Sequence, residues 1–392
     1  MSQIDVRELM DRYSMSDLVR FADEYFSIHA DKPRLMQKPF NDIEESAEAV
    51  LTFIHVVQGL GLPPGSLILD FGAGSCWTSR LLAGFGYRVI ASDVSEAALA
   101  IGRELMNAHP LFVDHHPVQF LPFDGFRLAL ENGSVDGICC ISALHHTPNP
   151  QDIIREFGRV LKPWGVAGAS EPGPNHSKTP ASQLEMSRFN VIENDVVIED
   201  LWQTAQEAGF TAIDLAVFNP ILRLMGLNRF NGFLHGDRPV DWENDTRNLM
   251  VERRLFFLEK GVGGIGSSNS SEGLAGQLRA DKQSIEGRSR DRVRVEIVAT
   301  NTGTSLWRPS NWWVGPVRVG PQITYSNGTQ AYLDRWMMPT MPRRGVLPGQ
   351  EITVVGDLEL PSVPGRYKIS FQLVAEYVAW FGQTISLEVT VR

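Results

Sequence analysis

The stretch Leu67–Trp77 reads Leu-Ile-Leu-Asp-Phe-Gly-Ala-Gly-Ser-Cys-Trp and decides the fold of the first two thirds of the chain. An apolar run ends in an acid and a glycine turn, and a helical pattern begins near Thr78. A buried parallel strand that enters such a turn places backbone amides at a helix N-terminus, where negative charge is stabilised. We therefore expect a nucleotide-type cofactor at this turn.

The spacing within the turn bears on the type of cofactor. Dinucleotide sites use Gly-x-Gly-x-x-Gly, and the third glycine lets the helix pack closely against the strand. Counting from Gly72 and Gly74, the third position holds the bulky Trp77. The turn therefore disfavours a dinucleotide. It also carries an acid, Asp70, two residues before the first glycine.

Composition limits the class of protein and its partners. The 392 residues are 43% hydrophobic and 21% charged, which is typical of a globular chain with two or three domains. A net charge of −10 argues against a nucleic acid as the main partner. No apolar stretch is long enough to span a bilayer, and residues 1–5 lack the pattern of a secretory signal. Three cysteines without metal-ligand spacing fit a reduced compartment, so we expect a cytoplasmic protein without a metal.

Strand and helix patterns alternate over most of the chain. Residues 1–40 carry spaced apolar positions that suit short amphipathic helices, and a longer helix pattern covers about 42–60, before the breakers Pro63-Pro64-Gly65. Strand-like runs follow at 67–70, 87–91, 118–123, 137–142, 165–170, 210–218 and 253–259. Residues 41–262 are therefore predicted to form an α/β domain with a doubly wound, mostly parallel, seven-stranded sheet.

The composition changes near residue 261. Glycine and serine dominate 261–271, and we predict a flexible linker over 263–290. Beyond residue 290 the helical periodicity gives way to alternating runs separated by turn signals, at 293–299, 317–325, 352–360, 367–375 and 385–391. Residues 291–392 are therefore predicted to form a separate all-β sandwich.

Residues 40–262 resemble class I S-adenosyl-L-methionine (SAM)-dependent methyltransferases at four landmarks. These are the Asp70–Gly74 turn, Asp93 about twenty residues beyond it, the run Asp124-Gly125-Phe126, and the segment Arg-Val-Leu-Lys-Pro-Trp-Gly at 159–165. The landmarks occur in the family's order and at its spacing. The resemblance implies a Rossmann-like domain that binds SAM and transfers its methyl group.

The resemblance also implies which residues meet the cofactor. In that family the acid after the second strand accepts both ribose hydroxyls, an acid near Asp124 meets the adenine amine, and its neighbour covers the ring. The expected SAM contacts are Asp70, Gly72, Ala73, Gly74, Trp77, Asp93, Val94, Asp124, Gly125, Phe126 and Ser142. Asp70 and Asp93 could instead only cap the helices that follow them.

Candidate catalytic residues follow the fourth and fifth predicted strands. Open α/β sheets bind ligands at the carboxyl ends of their strands, where this chain places His145, His146, Glu171 and His176. Either of the paired histidines shapes the loop and touches the cofactor or serves as a general base. Glu171 is either a substrate anchor or a hydrogen-bond acceptor that fixes the loop. His176 is a candidate for acceptor contact or catalysis.

The last hundred residues hold five of the nine tryptophans, Trp307, Trp312, Trp313, Trp336 and Trp380. They are either a stacking platform for sugars or a core and an interface, since aromatic residues dominate both. Segments 301–307, 315–320 and 374–381 resemble an immunoglobulin-like module of bacterial glycan-assembly enzymes. That resemblance implies a sugar or polysaccharide acceptor, and the module is also a candidate surface for self-association.

Three functions are compatible with these features. The leading hypothesis is a SAM-dependent methyltransferase that acts on oxygen or nitrogen of a small or glycan-related acceptor. The second is a non-catalytic scaffold that binds SAM or a glycan. The third, a nicotinamide-dependent oxidoreductase, is disfavoured by Trp77.

Overall fold

The computed structural model describes residues 3–62, 64–108, 118–219, 222, 224–236, 242–261, 265–310, 314–325, 327–333 and 345–392. The chain divides into two compact units, Met1–Val262 and Gly263–Arg392. Four residues that carry predictions from the sequence lie outside the described residues: Pro63, Trp312, Trp313 and Trp336. Within the described part of the chain, every helix is too short or too polar to cross a bilayer.

Four helices precede the sheet of the first unit: α1 (Val6–Arg12), α2 (Met15–Glu24), α3 (Lys32–Gln37) and α4 (Ile43–Leu60). Each begins after an Asp or Ser whose side chain accepts a hydrogen bond from a backbone N–H of the first turn. Such capping satisfies donors that the helix leaves unpaired. A π-helical turn, Tyr25–His29, continues α2, and α4 ends at Gly61 in the left-handed conformation that commonly terminates helices.

Seven strands form the sheet of the first unit: β1 (Leu67–Phe71), β2 (Arg88–Asp93), β3 (Val118–Pro122), β4 (Val135–Ile141), β5 (Leu161–Pro172), β6 (Phe210–Leu215) and β7 (Arg253–Lys260). Their order is β3-β2-β1-β4-β5-β7-β6. The first five strands pair in parallel, whereas β7 runs antiparallel to both β5 and β6. The predicted mostly parallel α/β sheet is confirmed. Its antiparallel β7 sets it apart from the dinucleotide-binding order 3-2-1-4-5-6.

Helices cover both faces of this sheet. The remaining helices are α5 (Trp77–Gly84), α6 (Glu96–Ala108), α7 (Pro150–Val160), α8 (Pro180–Phe189), α9 (Ile198–Glu207), α10 (Leu227–Leu234) and α11 (Trp242–Glu252). Adjacent β1 residues point into different cores, because side chains alternate along a strand. Leu69 packs in a cluster with residues of α7 and α9, and Ile68 in a cluster with residues of α4 and α5. Cys139 and Cys140 of β4 divide in the same way, as expected for a strand buried on both faces.

The second unit is all-β, as predicted. Its strands are β8 (Gly276–Ala280), β9 (Ser284–Gly287), β10 (Arg292–Asn301), β11 (Val317–Thr324), β12 (Gln330–Tyr332), β13 (Glu351–Glu359), β14 (Gly365–Ala375) and β15 (Ala379–Val391). They form one sheet of order β13-β10-β8 and another of order β12-β11-β14-β15-β9. A single apolar cluster draws on both sheets, for example Ile297 of β10 and Phe371 of β14. Two sheets that share one core form a sandwich.

The structure corrects the predicted linker over 263–290. β8 and β9 both lie inside that range and pair with β10 and β15. Leu278 and Ile285 are buried in the sandwich core, and Ser268 accepts a hydrogen bond from the Arg308 N–H at 2.8 Å. The glycine- and serine-rich composition led to the wrong prediction of a linker because β8 and β9 each carry few apolar residues among polar neighbours.

The different burial of Trp307 and Trp380 allows a test of which tryptophan belongs to the core of the sandwich. Trp307 is 0% exposed and meets Phe381 edge to face, so it belongs to the core and offers no face to a sugar, whereas Trp380 is 44% exposed. We expect Trp307→Ala to destabilise the sandwich by about 3–5 kcal/mol, the usual cost of emptying an aromatic core position. Trp380→Ala should cost roughly 1 kcal/mol or less. Scanning calorimetry of the full chain measures both. A larger loss for Trp380→Ala would contradict the assignment.

Candidate functional site

The glycine turn is tied to the helix that follows it by Asp70. This carboxylate, at the end of β1, is 2% exposed. It accepts hydrogen bonds from the hydroxyls of Thr78, at 2.6 Å, and Ser79, both in the first turn of α5. Burial raises the pKa of Asp70 to about 6, against the two hydroxyl donors, which lower it. Asp70 does not line the adjacent cavity, so it organises the turn from behind.

The backbone of the turn takes conformations that suit glycine. Gly72 and Gly74 have φ angles of 65° and 52°. A Cβ added at Gly72 would lie 2.3 Å from the Cβ of Ala143, so a side chain there would collide with the loop after β4. Cys76 is also left-handed and precedes α5 without a side-chain cap. Cys76 itself thus offers no side-chain cap, and the carboxylate of Asp70 instead accepts a backbone hydrogen bond from Ser79 in the first turn of α5.

Asp93, at the end of β2, holds the turn from the other side. One carboxylate oxygen accepts the Gly74 N–H at 2.8 Å, and the other accepts the Ser95 N–H at 2.9 Å. Burial raises the pKa of Asp93, against these backbone donors, which lower it. Unlike Asp70, Asp93 lines the cavity. Since a carboxylate has about four acceptor positions, Asp93 can accept further hydrogen bonds from a ligand.

A cavity of about 660 Å³ adjoins the turn. Of the residues predicted from the sequence, its wall includes Gly72, Ala73, Gly74, Trp77, Asp93, Val94, Gly125, Ser142 and His146. Asp124 and Phe126 are not among the residues that line it. The Asp124 carboxylate accepts the N–H groups of Phe126 and Arg127, each at 2.8 Å, and the Phe126 side chain is largely exposed.

Glu171, at the end of β5, fixes the loop after β4. The residue is fully buried. One oxygen accepts the N–H groups of Ala143 and Leu144 at 2.9 and 3.0 Å, and the other lies 2.7 Å from Nδ1 of His145. Burial alone would raise the pKa of Glu171, but the His145 bond and the backbone donors hold it below its usual value. Of the two roles considered, the geometry favours the loop-fixing acceptor.

Three histidines gather at this edge of the sheet. The His145 and His146 rings have centroids 3.9 Å apart and are tilted by 42°, and the His176 ring meets His145 edge to face at 4.9 Å. His176 Nε2 lies 2.8 Å from a carboxylate oxygen of Glu193. His145 is buried, and that burial lowers its pKa, as does the neighbouring His146. His146 lines the cavity, whereas His145 and His176 lie behind it.

Many of the other residues that line the cavity were not predicted from the sequence. The N-terminal helices contribute an apolar set of Met15, Leu18, Val19, Ala22, Phe26 and Leu35, and later segments add Glu48, Thr52, Glu185, Glu193 and Arg253. Asp23 attaches α2 to the start of α6, since its carboxylate accepts from Ser95 Oγ and the Ala97 N–H at 2.9 and 2.8 Å. The amphipathic spacing of α2 was visible in the sequence, but the surface that it would cover was not.

Comparisons with known proteins show what part of the first unit is similar to. Residues 69–168 match a family model described as a methyltransferase domain. An uncharacterized chloroplastic methyltransferase of Arabidopsis thaliana is 36% identical over 104 residues, 26% of this chain and 29% of that protein. The 2-methyl-6-phytyl-1,4-hydroquinone methyltransferase of Synechocystis is 28% identical over 124 residues, 30% of this chain and 37% of that protein.

The ubiquinone biosynthesis O-methyltransferase of Pseudomonas aeruginosa is 31% identical over 129 residues, 33% of this chain and 51% of that protein. The chain thus spans between 29% and 51% of the length of these three relatives. A solved SAM-dependent methyltransferase of Mesorhizobium loti aligns with 18% identity and a TM-score of 0.41, covering 55% of this chain and 100% of that one. The family match and the sheet confirm the resemblance to class I methyltransferases.

The buried Asp70 predicts a specific pH dependence of stability. Its pKa of about 6 in the folded chain exceeds the ordinary 3.8, so the folded state binds the proton more tightly than the unfolded state. Stability from this group is present at low pH and falls as pH rises through 6. Asp70→Asn keeps an acceptor but removes the charge. Relative to the unmodified chain, its free energy of unfolding should rise by roughly 1–1.5 kcal/mol between pH 5 and 7.5.

Urea denaturation at both pH values measures this difference. Asp152→Asn, which removes an exposed carboxylate from α7, is the matched control for the loss of one acid. A gap between Asp70→Asn and the unmodified chain that shrinks or stays constant as pH rises would contradict a buried, proton-retaining Asp70.

Proposed function

We propose that this chain, whose residues 69–168 match a family model of a methyltransferase domain, binds SAM at the glycine turn and methylates oxygen or nitrogen of a small acceptor. One observation carries the proposal: a single cavity of about 660 Å³ has both the turn with Asp93 and the cavity-lining His146 in its wall. Small-molecule sites typically have volumes of roughly 300–1,000 Å³. The cavity therefore has the size of a small-molecule site and brings the cofactor turn and His146 to one space.

The residues around the turn suit an adenosyl sulfonium. Asp93 has acceptor positions left for ribose hydroxyls, and it lines the cavity together with Gly72, Ala73 and Gly74 of the turn. The close approach of Gly72 to Ala143 keeps side chains out of the cradle between them. When bound, SAM supplies an electrophilic methyl group, so the protein has to orient the nucleophile, exclude water and accept a proton.

His146 is the residue we assign to proton removal. Its Nδ1 lies 2.9 Å from the carbonyl oxygen of Ile192. A carbonyl only accepts, so Nδ1 carries the hydrogen and donates it, which leaves the Nε2 lone pair able to take a proton. His145 and Glu171 lie outside the cavity wall and act as positioning residues, because they fix the loop on which His146 lies.

The wall of the cavity favours an acceptor with an apolar body. Met15, Leu18, Val19 and Phe26 line it with aliphatic and aromatic surface that suits an apolar body. Glu48, Glu185 and Arg253 of the same wall offer partners to a polar group on that acceptor. Relatives named as hydroquinone and ubiquinone-pathway methyltransferases are in keeping with that preference. An immunoglobulin-like identity, a glycan-related role and self-association stay proposals for the sandwich, with half-exposed Trp380 as the described tryptophan available to them.

Replacement of Asp93 tests cofactor binding. Asp93→Ala should weaken SAM affinity at least tenfold, since hydrogen bonds to a charged acceptor contribute roughly 1.5–3 kcal/mol. Titration calorimetry with SAM, and in parallel with NAD, measures it, and NAD should not bind. Asp152→Ala is the control and should bind SAM like the unmodified chain. SAM affinity unchanged in Asp93→Ala would mean that this carboxylate only supports the loop.

Replacement of His146 tests catalysis separately from binding. His146→Gln should slow methyl transfer by about 10²–10⁴-fold, the usual contribution of a general base, while SAM affinity changes little. The assay follows labelled methyl from SAM into apolar small-molecule extracts of cells. His55→Gln, on α4 outside the cavity wall, is the control. Equal rates for both variants would remove His146 from the mechanism, and SAM binding without any transfer would favour a non-catalytic scaffold.

A further inference from the structure

Three donor side chains from separate parts of the chain converge beside the cavity. His145 lies in the short turn after β4, His176 in the turn after β5, and Glu193 in the segment between α8 and α9. One donor atom from each lies within 4.8 Å of the other two. His145 and Glu193 are buried, and His176 is partly exposed. Nothing in the sequence spacing of 145, 176 and 193 announces this grouping.

The donor set is one that transition metals use. Two imidazoles and one carboxylate bind Zn²⁺ in catalytic sites, and the same combination forms the facial triad of some iron enzymes. His176 Nε2 and the Glu193 carboxylate oxygen are already 2.8 Å apart. Donors bound at about 2.0–2.2 Å to one ion lie roughly 3–4 Å from one another. The widest separation in the cluster is at most 4.8 Å and would thus have to close by up to about 1–2 Å.

A second carboxylate orients the first ligand. Glu171 lies 2.7 Å from His145 Nδ1 and is itself fixed by two backbone N–H groups. A metal-binding histidine almost always donates its other ring N–H to such an acceptor, which sets the tautomer and ring orientation. The bond to Glu171 therefore leaves His145 Nε2 for an ion.

The charge balance of the cluster also favours a cation. Glu171 and Glu193 are both buried carboxylates, and the ion-pair partners recorded for them among the described residues are histidines alone. Buried carboxylates are costly unless they are neutralised or coordinate a metal. A divalent ion among the three donors would offset both negative charges at once.

We propose that His145, His176 and Glu193 bind a divalent transition-metal ion such as Zn²⁺, with Glu171 orienting His145. Glu193 also lines the cavity, so the ion would lie at the acceptor side of the site. There it would act as a Lewis acid on an acceptor hydroxyl and ease its deprotonation. This last role rests on the proposed methyl transfer, whereas binding of the ion does not.

Zinc competition tests the site directly. The full chain, stripped with a chelator, is titrated with Zn²⁺ against a chromophoric indicator. We expect about one equivalent of tightly held zinc, a loss of affinity of at least a hundredfold in His176→Ala and Glu193→Gln, and a loss of about 10–100-fold in Glu171→Gln. His55→Ala is the histidine control and should match the unmodified chain. No zinc retained against the indicator, or equal losses in the control and His176→Ala, would overturn the proposal.

A cobalt spectrum guards against misfolded variants. Co²⁺ added to the unmodified stripped chain should give the visible absorption of a low-coordinate nitrogen and oxygen site, displaced by one equivalent of Zn²⁺. An octahedral aqueous spectrum would overturn the proposal without any variant. SAM titration of the stripped chain separates the two claims, because SAM binding without zinc binding leaves the proposed function standing, and zinc binding without SAM binding leaves the metal site standing.

Discussion

Two carboxylates at the ends of neighbouring parallel strands hold the glycine turn, and the cavity depends on them. Asp70 accepts two hydroxyls of α5, and Asp93 accepts the N–H groups of Gly74 and Ser95. Both anions are buried at a cost that these donors offset only in part, since the pKa of each carboxyl stays above its ordinary value. Their bonds attach strand, turn and helix to one another and keep the turn's backbone in left-handed conformations. A cofactor therefore meets a loop that is already ordered.

A third buried carboxylate holds a loop in the same way at the end of β5, two strands from β1 in the sheet. Glu171 at the end of β5 accepts backbone N–H groups of the loop after β4 and the ring of His145. Parallel strands end at one edge of a sheet, so the carboxylates of β1, β2 and β5 each organise a loop at that edge. His146 reaches the cavity because His145, one residue earlier, is held behind it. The glycine turn and the loop that carries the histidines are thus both held by carboxylates at the same edge of the sheet.

The sequence was most informative where function depends on adjacent residues. The glycine turn, Asp93 and the histidine pair each come at or directly after the end of a strand with a continuous apolar run. The edge of the sheet at which they lie was therefore predictable. Burial was not visible, and for that reason Asp70 was expected to touch the cofactor although its oxygens face Thr78 and Ser79. The Asp124 carboxylate likewise accepts hydrogen bonds from N–H groups of its own loop.

Residues that arrive through tertiary contact could not be predicted. Phe26, Glu193 and Arg253 line one cavity although more than two hundred residues separate the first from the last. Their positions depend on how α2 and β7 pack, and no local pattern records that. The short strands β8 and β9 were missed for a different reason, because each contributes little apolar surface within a glycine- and serine-rich region.

The most direct test of this account is a crystal structure of the chain with S-adenosylhomocysteine. We predict electron density for the ligand in the 660 Å³ cavity, with the ribose hydroxyls donating to Asp93 and Asp70 still bonded to Thr78 and Ser79. A cavity without ligand density at saturating ligand, or a ligand bound away from Asp93, would contradict the claim that this turn is a cofactor site.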